Sequence, residues 1–152
     1  MKMGVNARVL QNKKTGIPYF VKYLYNKLSE IDKKNQYLFF QPKGNSLINS
    51  FLFDNFLINK LIDEEKINVF HGPAHILPFF KKKNVKYAIT IHDLSFLIFR
   101  QNESTLFNMY YKYAIPRSLK NADVIIADSQ NTKEDIKRFY HVADSKIKVI
   151  YL

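Results

Sequence analysis

Tyr87-Ala88-Ile89-Thr90-Ile91-His92-Asp93-Leu94-Ser95 is an apolar, β-rich run that stops on two side chains able to carry protons. In an open parallel α/β sheet, ligands bind in the crevice beyond the carboxyl ends of the strands. A His92-Asp93 pair in that position faces the crevice. The same ending recurs along the chain. Asn68-Val69-Phe70 runs into His71-Gly72-Pro73, and Val124-Ile125-Ile126-Ala127 runs into Asp128-Ser129. Gly4-Val5-Asn6-Ala7 leads through Arg8 into a loop holding Thr15-Gly16. Polar chemistry therefore collects at one edge of one sheet.

Outward from that stretch, strand and helix patterns alternate from end to end. The alternation predicts an α/β fold, a Rossmann-like, mainly parallel sheet with helices on both faces. Strands are expected at 3–8, 36–41, 67–71, 85–91, 124–127 and 147–151. A helix is expected over 17–31, where Ile17, Val21, Leu24, Leu28 and Ile31 recur at three- and four-residue spacing. Others are expected over 46–64, 104–121 and 131–140. Pro116 should kink the third of these or split it in two, because proline cannot donate in a helix interior. Between Leu47 and Ile62 apolar residues cover more than one face. Asp54 and Lys60 interrupt the run, which is too short for a membrane span. Such a helix is either pressed on most sides into the protein, or its outer face meets a membrane or a lipid tail.

At 152 residues the chain is one domain's worth. Its 47% hydrophobic content predicts a packed core rather than disorder. With no cysteine, disulfides and thiolate metal sites are excluded. The opening MKMGVNARVL turns straight into a strand without a secretory apolar segment, which predicts a cytoplasmic protein. The net charge of +11 has two readings. It reflects a Lys-, Asn- and Ile-rich composition, or it attracts the chain to an anionic surface: membrane headgroups at the cytoplasmic face, or a phosphorylated substrate. Nucleic acid is disfavoured, because the longest basic run is Lys81-Lys82-Lys83 and no recognition module accompanies it. The last residues, Lys146 to Leu152, read as a strand with no cap after it, so a longer parent protein is expected.

The motifs narrow the chemistry. A strand, a loop with Gly16 and a helix opening on Ile17-Pro18 can present backbone N–H groups and a positive dipole end to a phosphate. There is neither a G-x-G-x-x-G nor a P-loop pattern. His92 can bond a sugar hydroxyl or a developing charge, and Asp93 either orients it or caps the next turn. His71 and His75 have the i,i+4 spacing of a helical zinc pair, but Gly72-Pro73 between them opposes a helix, so no metal site is expected. Ser129 and Thr132 stand where an N-cap belongs.

GVNAR with TGI, VFHGPAHILP, TIHDLSF, YYKYAIPRSLKNADVIIADSQNTKEDI and SKIKVIYL together resemble the N-terminal domain of a family 4 glycosyltransferase of the GT-B fold. The resemblance implies that residues 1–152 are the acceptor-side domain, with the C-terminal donor-binding domain absent from this chain. It implies a retaining transfer of a hexose from a nucleotide-sugar donor to a carbohydrate or lipid-linked acceptor, with no cofactor. Gly16 matches the loop glycine that approaches the donor diphosphate, and His92 the histidine near the transferred sugar, with Asp93 beside it. Arg8, His71 and Ser129 match positions lining the cleft. The competing expectation is a non-catalytic remnant or an acceptor-binding module.

Overall fold

The computed structural model describes residues 1–11, 16–44, 46–94 and 105–151. Most of the loop from Leu10 to Gly16, including Thr15, lies outside the described residues, as do Ser95 and Phe96 of the His-Asp segment, Ser104 and Leu152. Six strands form one all-parallel sheet in the order β2-β1-β3-β4-β5-β6. They are β1 (Lys2–Asn6), β2 (Gln36–Phe40), β3 (Val69–Gly72), β4 (Lys86–Ile91), β5 (Val124–Ala127) and β6 (Ile147–Val149). The chain steps from β1 out to β2 and then returns past β1 to β3. The order therefore reverses between β1 and β3, the switch point where open α/β sheets bind ligands.

Strand side chains alternate between faces, and the register assigns them. Val5 lies beside His71, and Gly4 beside Phe70. On the Val5 face, helix α1 (Gly16–Ile31) buries Val21 and Tyr25 one turn apart, with Ile17, Leu24 and Leu28 flanking them. On the opposite face, Gly4 lets two rings close in: a Cβ there would meet Phe40 at 3.0 Å and Phe70 at 3.1 Å. Ile58, Ile62, Ile115 and Leu119 complete this larger core from the remaining helices.

The expected helix over 46–64 is three pieces: α2 (Leu47–Leu52), a π-helical turn (Phe53–Leu57) and α3 (Ile58–Glu64). Ser46 caps α2, its hydroxyl accepting from the Asn49 amide at 3.1 Å. The extra residue of the π turn brings Phe53, Asp54 and Asn55 inward in succession. Ile48, Phe51, Leu52, Phe56 and Leu57 are left exposed, so the described residues do not cover the outer face. No helix among the described residues is long and apolar enough to cross a membrane.

Helix α4 (Thr105–Asn121) continues past Pro116 as one element rather than splitting. Ala114, Ile115, Ser118 and Leu119 are buried on both sides of the proline, so both halves of the helix pack against the core. Helix α5 (Gln130–Tyr140) ends on His141 in the left-handed conformation.

Candidate functional site

The carboxyl edge of the sheet gathers residues from β1, β3, β4 and β5. His92 follows β4 and Asp128 follows β5, and the parallel register of these strands sets them side by side. His92 Nδ1 lies 3.4 Å from Asp128 Oδ2. Its Nε2 is 2.9 Å from the Pro73 carbonyl, which only accepts, so that nitrogen carries a proton. The ring is packed edge-on to Phe20 at 4.9 Å and to His75 at 5.6 Å. Its side chain is 8% exposed.

A second layer fixes this pair. Thr132 Oγ1 lies 2.9 Å from the His92 carbonyl and 3.0 Å from Asp128 Oδ1, and can donate to either. Ser129 takes the N-cap position of α5, its hydroxyl accepting from the Thr132 amide at 3.0 Å. Ser129 is thus tied to the α5 cap rather than aimed into open space. Asp93 is exposed next to His92.

Arg8 leaves the end of β1 in a short 3-10 turn (Arg8–Gln11). Its Nε is 3.3 Å from Asp54 Oδ2, with the carboxylate fully buried in the π turn. Asn6 Nδ2 donates to Asp54 Oδ1 at 3.0 Å, and the Tyr110 hydroxyl to Oδ2 at 3.1 Å. Burial is the largest single influence and opposes the Arg8 charge, but Asp54, Tyr111 and Tyr110 together outweigh it and hold the guanidinium above its ordinary range. Burial likewise pushes the Asp54 carboxyl up, against the pull of Arg8, Asn6 and Tyr110. The Tyr111 hydroxyl also bonds Arg8, and the Tyr111 ring lies 6.5 Å from His75. Arg8, Tyr111, His75 and His92 therefore form one contiguous layer.

His71 lies apart from that layer, inside the protein. The alternation that turns Phe70 toward the large core turns His71 toward α1. One ring nitrogen meets the Tyr25 hydroxyl, and Nε2 meets Thr90 Oγ1 at 2.9 Å. His75 adopts a left-handed φ of 65°. Gly72 precedes it because a Cβ there would stand 2.2 Å from the Ile76 carbonyl oxygen. Gly16 opens α1, exposed, and nothing lies within 4 Å of where its Cβ would be. Phe20, one helical turn on, links that helix end to His92. Among the described residues, no group of three or more His, Asp or Glu is placed to hold a metal ion.

Burial lowers the His71 and His75 imidazoles to about 4 each, with the neighbouring His92 adding to the effect. An unfolded histidine takes its proton near about 6.5. Stability is therefore full above that value and falls as the pH drops toward 4, where the unfolded chain binds protons that the fold refuses. The expected loss is about 1.4 kcal/mol per pH unit for each histidine in that window. Urea unfolding at pH 7 and pH 5 checks it, and equal midpoints contradict it.

Phe20, Asp54 and Thr132 join the site without a functional signal in the sequence, and Asp128 is marked there only as the polar end of a strand. Thr132 was visible only as a cap, and Asp54 only as a charge interrupting an apolar run.

The sequence model of Glycosyltransferase Family 4 matches residues 11–152. No curated protein matches the chain. Among solved structures, a glycosyltransferase from Rickettsia africae ESF-5 is similar at 18% identity with a TM-score of 0.45. The match covers 99% of this chain and 42% of that one, so the chain spans less than half the length of that protein.

Proposed function

The chain belongs to glycosyltransferase family 4, and on that premise we propose that it is the acceptor-side domain of a retaining enzyme. The enzyme moves a hexose from a nucleotide-sugar to an acceptor hydroxyl, in polysaccharide or glycolipid assembly in the cytoplasm. The observation that carries this reading is the His92–Asp128 pair at the carboxyl edge, 3.4 Å apart, beside the end of α1. A second, donor-binding domain supplies most of the grip on the nucleotide. Gly16 leaves open space at the first residue of α1, where backbone N–H groups and the helix dipole favour a diphosphate.

In the transfer, the acceptor oxygen bonds to the anomeric carbon on the face that the diphosphate leaves. The acceptor proton passes to a departing phosphate oxygen, and the nucleoside diphosphate is released. His92 steadies the charge that develops on the sugar. In the present arrangement Nε2 faces the Pro73 carbonyl and Nδ1 the Asp128 carboxylate, so one of the two contacts is exchanged for substrate. Closure of the two domains excludes water and sets the rate of productive encounters. Proton NMR of the product made by the protein that contains this chain tests the mechanism. The anomeric configuration of the donor is expected to survive, and inversion contradicts the proposal.

A further inference from the structure

His75 holds a left-handed backbone, with φ at 65°. Glycine enters that region freely, whereas a residue with a Cβ is strained there. Strain of this kind persists where the surroundings over-determine it, and it gathers at functional sites. The turn from Gly72 to Ile76 is held in that way. The His75 amide donates to the Thr90 carbonyl of β4 at 3.1 Å. Ile76 and Leu77 are buried, and the Leu77 amide donates to the Ser118 hydroxyl at 2.9 Å. That hydroxyl donates in turn to the Ala114 carbonyl at 2.7 Å. At the start of the turn, a Cβ on Gly72 would strike the Ile76 carbonyl oxygen.

This anchored turn meets His92 twice. The Pro73 carbonyl lies 2.9 Å from His92 Nε2. The His75 ring stands edge-on to the His92 ring, with centres 5.6 Å apart and planes at 82°. His75 is buried, and the Tyr111 ring lies 6.5 Å from it. Glycine would make the same turn without strain, but it carries no ring to set against His92. Burial, with His92 adding to the effect, holds the His75 imidazole down at about 4. At neutral pH it is therefore an uncharged ring, able to pack against His92 without repelling a proton there.

We propose that His75 is a positioning residue for His92. The strained turn sets the His75 ring against His92, so that His92 keeps one orientation while one of its polar contacts is exchanged for substrate. The rings of His75 and Phe20 are the contacts that remain through the exchange. The consequence for catalysis rests on the transfer reading, whereas the hold on His92 is measured without substrate.

Three readouts test it. The first is NMR of the chain with ¹⁵N-labelled histidine at neutral pH. Wild type is expected to show His92 protonated at Nε2 in a single form. His75→Asn keeps a side chain that tolerates the left-handed backbone, and it should give a His92 averaged between forms while the exposed His141 is unmoved. The second is urea unfolding of His75→Gly and His75→Ala. The alanine variant should have an unfolding equilibrium constant about 5–30-fold larger, because only glycine relieves the strain. The third is kinetics of the protein that contains this chain, where His75→Asn should lower kcat at least about tenfold with nucleoside diphosphate affinity unchanged. A His92 that stays in its single Nε2-protonated form in His75→Asn overturns the proposal. So does turnover within about twofold of the parent, and so does equal stability of the glycine and alanine variants. Absence of transfer by the wild-type parent counts against the transferase reading instead, and the NMR comparison then decides the role of His75 by itself.

Discussion

Asp54→Ala is expected to lower the unfolding free energy by about 3–5 kcal/mol, a large share of the roughly 5–15 kcal/mol a domain has. The carboxylate is fully buried, forms an ion pair with the Arg8 guanidinium, and accepts hydrogen bonds from Asn6 Nδ2 and the Tyr110 hydroxyl. Burial lifts the Asp54 carboxyl, so the ion pair itself adds little net stability. The cost lies in what removal leaves behind. A guanidinium and two neutral donors lose their acceptor inside the protein, and a cavity opens under the sheet edge. Asp54→Asn keeps the volume and one oxygen, and is expected to cost clearly less. Urea unfolding of the two variants decides the matter, and a loss below about 1 kcal/mol for alanine contradicts the clamp.

His92→Ala, made in the protein that carries this chain with its donor-binding domain, is expected to lower kcat by about 10²–10³-fold, the usual cost of removing one charge-stabilising group. Affinity for the nucleoside diphosphate should stay nearly unchanged, because the nucleotide is held mainly by the other domain. The split between kcat and nucleotide affinity separates a role in transfer from simple damage to the fold. Circular dichroism covers the remaining structural concern, since the variant also loses the Pro73 bond. Turnover within about twofold of the parent removes His92 from the mechanism.

Much of this was legible in the chain. The apolar runs ending on His92 and on Asp128-Ser129 revealed both the strands and the edge at which they stop, because a buried parallel strand has little reason to end on polar groups except at the crevice. Family resemblance then gave the fold. His71 shows where the reading failed to discriminate. It stands near the end of its strand as His92 does, yet it lies inside the sheet, bonded to Tyr25 and Thr90. His71 is level with Ala88 in the sheet, four residues short of His92, and how far along the sheet a strand's end falls depends on register with neighbouring strands, which is not written locally. The π turn was equally hidden. One added residue in a helical run changes which side chains point inward, and Asp54, an interruption in the sequence, became the buried anchor of Arg8. Phe20 reached His92 only because α1 folds back across the sheet, a contact between residues 72 positions apart.

The central claim is that this chain forms one side of a sugar-transfer cleft. It is tested most directly by nucleoside diphosphate release when the protein that contains the chain is incubated with a panel of nucleotide-sugars and membrane-derived acceptors. The account predicts release with at least one donor, dependent on acceptor and lost with His92→Ala. No release from any donor, or release that ignores the His92 substitution, contradicts it.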